Sequence, residues 1–275
     1  MEMLKIPLGG LKKFKEWKGM TMAEKTINVK IIKDICFSKE NGRKLLADLY
    51  LPADKEEFPL LVFFYGNGLE GGDKRDMSVV ALEFVQRGVA VALPNYRSYP
   101  EVSYPSFFVD AAKSIAFFQK EIKKYGDCQG IFIGGHSAGA YLALMIFFER
   151  YYLEQQKVDP NSIRGCISAS GQPTTHYNIL KHRGIQSDWI VIDEAAPMYH
   201  ITEEVIEEGA PLLIFVTDND IKNRLEHTEF FVSTLKEYGY KSEVQYHLLK
   251  GHDHMSYLRN VLIDDSIPFI KKHLK

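Results

Sequence analysis

The 275-residue sequence predicts an α/β fold, a mostly parallel central sheet with helices on both faces. Three observations carry this expectation. Strand-like apolar runs alternate with amphipathic helical stretches along most of the chain. The run at residues 60–65 is apolar throughout, as a strand covered on both faces is. Two helical stretches stop at a glycine, Gly88 and Gly126, the residue that most readily closes a helix.

In order, residues 29–37 and 46–51 read as two strands joined by the turn-forming Glu40-Asn41-Gly42-Arg43, an antiparallel hairpin at one edge. After the buried strand at 60–65, Val80, Ala81, Phe84 and Val85 recur at helical spacing, and 89–93 is the next strand. Phe108, Ala111, Ala112, Ile115, Phe118 and Ile122 form one apolar helical stripe, followed by a strand containing Ile131-Phe132-Ile133. Residues 163–169, 212–217 and 243–249 supply the later strands, with helices over 224–238 and from Met255 to the end.

Residues 172–208 break the rhythm and are expected to form a small cap insertion over the carboxyl ends of the strands, where open sheets bind ligands. The main domain is expected to span 28–275 behind an N-terminal arm of residues 1–27. Leu11, Phe14 and Trp17 lie there at helical spacing among lysines, a pattern suited to packing on the arm's own domain.

A net charge of −2 provides no electrostatic footprint for nucleic acid or anionic membrane, so a small molecule is the expected partner. No secretory leader and no membrane span is read from the sequence. The three cysteines, Cys36, Cys128 and Cys166, are scattered without metal spacing and read as buried thiols, which fits a cytoplasmic location. Gly66-Asn67-Gly68 and Gly71-Gly72 lack the spacing and following Lys-Ser/Thr of a phosphate loop, so neither metal nor cofactor is expected. The sequence leaves the oligomeric state open, a homo-oligomer included.

The most informative segment is Gly135-His136-Ser137-Ala138-Gly139, placed between an apolar strand and an apolar helical stretch. A serine at a sharp strand-to-helix turn is lifted clear of the sheet, and the turn needs small residues on either side. The helix that follows directs free backbone amides at the place where an oxyanion would form. The order strand, motif, helix therefore points to ester or amide hydrolysis, with an acid and then a histidine expected later in the chain.

These features, with Asp48-Leu49-Tyr50-Leu51-Pro52, Pro94-Asn95-Tyr96-Arg97 and Ala196-Pro197-Met198-Tyr199, resemble the α/β-hydrolase superfamily over residues 28–270. The likeness is to its esterase/lipase group, which includes carbohydrate acetyl esterases, feruloyl esterases and hormone-sensitive-lipase-like enzymes. The resemblance implies a triad of Ser137, Asp220 and His254, with Asp220 preferred over Asp218 by its distance along the strand. His254 is preferred over His252 because Met255-Ser256 follows it. It also implies an oxyanion hole from the amides of Gly66 or Asn67 with Ala138, although Tyr65-Gly66-Asn67-Gly68-Leu69 replaces the family's His-Gly-Gly-Gly. Asn tolerates the positive φ such a loop demands.

Leu69, Tyr96 and Tyr199 are the expected substrate contacts, and a short-chain, acetyl-type ester the expected substrate, carried in one reading on a carbohydrate. Two other classes stay open: an amidase, formamidase or peptidase using the same triad, and a non-catalytic binding module that kept the fold.

Overall fold

The computed structural model describes residues 28–274, so the expected N-terminal arm lies outside the described residues. The chain opens with β1 (Val29–Glu40) and β2 (Arg43–Pro52), an antiparallel hairpin. Its two-residue turn has Asn41 at φ 49° and Gly42 at φ 83°, the left-handed pair that matches strand twist. Next come β3 (Glu57–Phe64), α1 (Ser78–Gln86), β4 (Ala90–Pro94), α2 (Ser106–Glu121), β5 (Asp127–His136) and α3 (Ala138–Phe148). The rest of the chain adds α4 (Tyr151–Glu154), β6 (Ile163–Ala169), α5 (Tyr177–His182), α6 (Glu203–Glu208), β7 (Leu212–Asn219), α7 (Arg224–Glu237), β8 (Val244–Asp253) and α8 (Val261–Lys272).

Among the described residues eight strands form one sheet in the order β1-β2-β4-β3-β5-β6-β7-β8, antiparallel at β1-β2 and β2-β4 and parallel elsewhere. On one side α1 meets α8, with Arg87 bonded to Asp264 at 3.1 Å. On the other, α2, α3 and α7 pack through Phe108 on Tyr141 and Phe148 on Phe231. Every residue of α3 is buried, so its apolar character on all sides reflects its place at the centre of this layer.

Register brings the functional loops together. Phe64 of β3 pairs with Gly135 of β5, His136 with Ala169 of β6, and Asn219 of β7 with Asp253 of β8, so these strands end side by side at one edge of the sheet.

Two expectations need correction. The last helix begins at Val261 rather than Met255, because Asp253 Oδ1 accepts from the amides of Met255 (2.9 Å) and Ser256 (2.8 Å) and holds that stretch as a turn. Of the three cysteines only Cys166 is buried. Cys128 is half-buried and Cys36 exposed, since β1 is an edge strand. No helix among the described residues is long and apolar enough to cross a membrane.

Candidate active site

Ser137 joins β5 to α3 at φ 54°, ψ −120°, a conformation that is strained for a residue with a Cβ. It persists because the surroundings fix it: the Ser137 amide donates to Ala169 O at 2.8 Å, and the Tyr141 amide to Ser137 O at 3.0 Å. The turn also drives the start of α3 onto β3. A Cβ on Gly139 would lie 2.1 Å from Phe64 O, and one on Gly135 would lie 2.4 Å from Gly139 O, so neither position admits a larger residue.

Asp220 follows β7, and both its oxygens are engaged. Oδ1 accepts from His254 Nδ1 at 2.6 Å and from the Ile221 amide at 2.8 Å; Oδ2 accepts from Ser170 Oγ at 2.6 Å and Thr217 Oγ1 at 3.2 Å. Burial alone would raise the Asp220 pKa. The hydrogen bonds from His254 and Ser170 outweigh it and hold the carboxyl well below the usual carboxylate range. With Nδ1–H given to Asp220, the His254 ring keeps Nε2 as its basic nitrogen.

Ser170 carries the second sphere of this network. It sits at φ 53° just past β6, shares a 2.8 Å hydrogen bond with the buried Tyr257 hydroxyl, and its carbonyl accepts from the buried Arg224 guanidinium. His136 braces the other side: its Nε2–H donates to His254 O at 2.9 Å. Burial first, and then the neighbouring His254, push the His136 pKa down to about 3, so this ring is a neutral strut.

The competing candidates lie elsewhere. Asp218 Oδ1 accepts from the Gly251 amide at 2.8 Å and from Asn219 Nδ2 at 2.9 Å, tying the β7 and β8 loops together. His252 bonds Ser256 Oγ at 3.1 Å within its own turn.

Beyond β3 the backbone runs left-handed for three residues, Asn67 (φ 83°), Gly68 (φ 65°) and Leu69 (φ 64°). A Cβ placed on Gly66 would lie 3.0 Å from Ser137 Cβ, so this loop lies against the serine. Asn178 Nδ2 donates to Gly68 O at 2.7 Å, and Tyr96 Oη to Tyr65 O at 2.9 Å. The Asn67 amide makes no hydrogen bond among the described residues, and Ala138, first in α3, has no intrahelical acceptor for its N–H.

Ser137 and His254 line one cavity of about 520 Å³ together with Gly66, Asn67 and His136. Ser137 Oγ makes no hydrogen bond to the His254 ring, as is common before a substrate draws the pair together. Gly68, Met77, Tyr177, Asn178, Ile221 and Met255 add to the wall, and Glu70 and Asp76 place carboxylates on it.

None of the three expected substrate contacts lies on that wall. Leu69 is buried in the core, Tyr96 is buried with its ring stacked on Tyr65 at 4.5 Å, and Tyr199 is exposed beside His200. The first two pack behind the cavity, at the loop that follows β3. The wall instead takes Tyr177 and Asn178 from the segment that breaks the strand–helix rhythm. Ser170 had only a faint signal, a run of small residues, Ala169-Ser170-Gly171, at a strand end.

The BD-FAE family model matches residues 47–165. The kynurenine formamidase of Danio rerio is 25% identical over 88% of this chain and 80% of its own length. The isoprenylcysteine alpha-carbonyl methylesterase ICME of Arabidopsis thaliana is also 25% identical, over 78% of this chain, which spans 57% of that longer protein. Among solved structures, the propionate-bound esterase Est2 of Thermogutta terrifontis superposes with a TM-score of 0.71 at 18% identity, covering 87% of this chain and 93% of its own. An esterase of Rhizomucor miehei gives 0.69 at 17% identity, covering 89% and 84%. By its sheet order, its serine turn and these likenesses, the chain has the α/β-hydrolase fold and is similar to hydrolases of the esterase and formamidase kinds.

Proposed function

We propose that the protein is a serine carboxylic-ester hydrolase acting on short-chain esters. The observation that carries the reading is the 2.6 Å Asp220–His254 bond at the cavity that Ser137 also lines. His254 Nε2 takes the Ser137 proton as Oγ attacks the ester carbonyl, and Asp220 stabilises the imidazolium that forms. The amides of Asn67 or Gly66 with Ala138 receive the oxyanion. The proton then passes to the departing alcohol, leaving an acyl-serine, and water activated by the same histidine releases the acid. Residues 172–208 act as a small cap, supplying Tyr177 and Asn178 to the wall.

Hydrolysis of p-nitrophenyl acetate, butyrate and octanoate by the wild type and by Ser137→Ala tests this. Turnover that falls by roughly ten-thousandfold or more with the serine, and that is faster for acetate than octanoate, supports the reading. Turnover that survives Ser137→Ala rejects it. The formamidase among the relatives favours a second reading, an amide or formamide hydrolase on the same groups. Paired ester and amide substrates of one acyl group separate the two.

A further inference from the structure

A second cavity of about 140 Å³ adjoins the catalytic one and shares Tyr177 and Ile221 with it. Lys222, Asn223, Arg224 and His227, from the start of α7, form much of its wall. Cationic and hydrogen-bond-donating groups outnumber carboxylates on this wall. Arg224 is 2% exposed, yet no carboxylate lies within 4.0 Å of its guanidinium among the described residues. Among the described residues its donors go to the Ser170 carbonyl and, at 3.4 Å, to Gln172 Oε1. Burial works against the Arg224 charge, and Asp220, which is bonded to the same Ser170, only partly offsets it, so a further anion nearby would be favoured.

One helical turn on, His227 is 8% exposed; Nδ1 is bonded to Thr174 Oγ1 at 3.1 Å, and Nε2 has no partner among the described residues. The helix itself starts at a left-handed Asn223 whose side chain caps nothing; the Arg224 amide is given to Ile221 O at 2.9 Å, and the amides that follow add partial positive charge. Lys222 stands at the rim with Asp188 at 4.0 Å, and Asp188 is the one carboxylate lining this cavity among the described residues.

We propose that this cavity binds a carboxylate of the substrate, so that the preferred esters carry a free carboxylate a few atoms from the scissile bond. The proposal rests on the ester-hydrolase reading above and narrows its substrate class. A guanidinium fork with a flanking imidazole suits the two coplanar oxygens of a carboxylate. The plainer alternative is that Arg224 only braces Ser170, and through it Asp220. Loss of a brace slows anionic and neutral esters alike, whereas loss of a carboxylate site changes their ratio.

The test compares kcat/KM for 4-acetoxybenzoate against its methyl ester, and for ethyl hydrogen adipate against ethyl pentanoate, placing the acid on the alcohol and acyl sides in turn. In at least one pair the anionic ester should be preferred by roughly tenfold or more, the scale of one charge-assisted hydrogen bond. Arg224→Gln should erase that ratio. Lys222→Glu, at the exposed rim where folding is not at stake, should reduce it in the same direction. Equal rates within both pairs in the wild type, or ratios untouched by Lys222→Glu and by a folded Arg224→Gln, overturn the proposal.

A binding arm separates this failure from that of the hydrolase reading. Trp189 lines the cavity, so benzoate added to Ser137→Ala should quench its fluorescence, and Trp189→Phe should abolish the signal. Quenching without hydrolysis of any ester would keep the carboxylate site and discard the esterase. Hydrolysis of neutral esters with neither quenching nor a charge preference would do the reverse.

Discussion

The two halves of the site are held in different ways. On the acid–base side, Asp220 uses both oxygens, His254 is fixed at its ring by Asp220 and at its carbonyl by His136, and Ser170 is bonded in turn to Tyr257 and Arg224. On the nucleophile side the side chains are almost unbonded. What is fixed there is backbone: a serine at φ 54°, three left-handed residues from Asn67 to Leu69, and amides left without acceptors. The first half stores a charge in a satisfied network, and the second stores strained geometry in close packing. Each half should therefore fail in its own way.

Apart from loss of the serine itself, the largest effect is expected on the network side. Asp220→Asn should lower kcat by roughly a thousand- to ten-thousandfold, because an amide cannot hold the imidazolium or select its tautomer. Asp218→Asn, which keeps an oxygen for the Gly251 amide, should stay within about twofold. Steady-state kinetics on p-nitrophenyl acetate decide between them, and equal losses would merge the two aspartates into one role.

On the nucleophile side the backbone is the sensitive element. Asn67→Pro removes an amide and forbids the φ of 83°, so turnover should fall by about a hundredfold, the cost of one oxyanion donor. Asn67→Gly keeps both and should stay within about threefold. Equal losses would mean that the Asn67 side chain, not its amide, is what matters.

The two sides also differ in how readily their residues are read from sequence. The nucleophile is local: five consecutive residues specify the strand end, the turn and the helix start, and the close approach of Gly139 to Phe64 explains why those residues must be small. The apolar strands β3 and β6 are legible because both their faces are covered, which leaves no alternation to misread. The proposed acid and base are legible as an order along the chain, Asp220 before His254. Their support is not, because Ser170, Tyr257, Arg224 and His136 meet only when β5, β6, β7, α7 and the turn after β8 are brought together. Tyr96 misled because sequence shows an aromatic near a loop but not that its ring lies flat on Tyr65 and its hydroxyl is spent on a carbonyl.

The smallest effect sharpens the comparison through pH. The His136 pKa is depressed to about 3 in the fold, against 6.5 when unperturbed. Between these values the unfolded chain holds a proton that the fold excludes, so stability present at neutral pH is lost as the pH falls. The contribution approaches about 1.4 kcal/mol per pH unit within that window. Urea midpoints from pH 6 to 4 should therefore fall more steeply for the wild type than for His136→Gln. Parallel curves would show that the strut beside His254 is not a buried neutral imidazole.

The central claim is that Ser137 is a nucleophile activated by His254, and covalent labelling tests it most directly. After treatment with diisopropyl fluorophosphate, peptide mass spectrometry should find one phosphoryl adduct, on the peptide containing Ser137, and His254→Ala should abolish it. An adduct on Ser170, which is also strained and lies against Asp220, would contradict the account, as would a folded wild-type protein that takes no label.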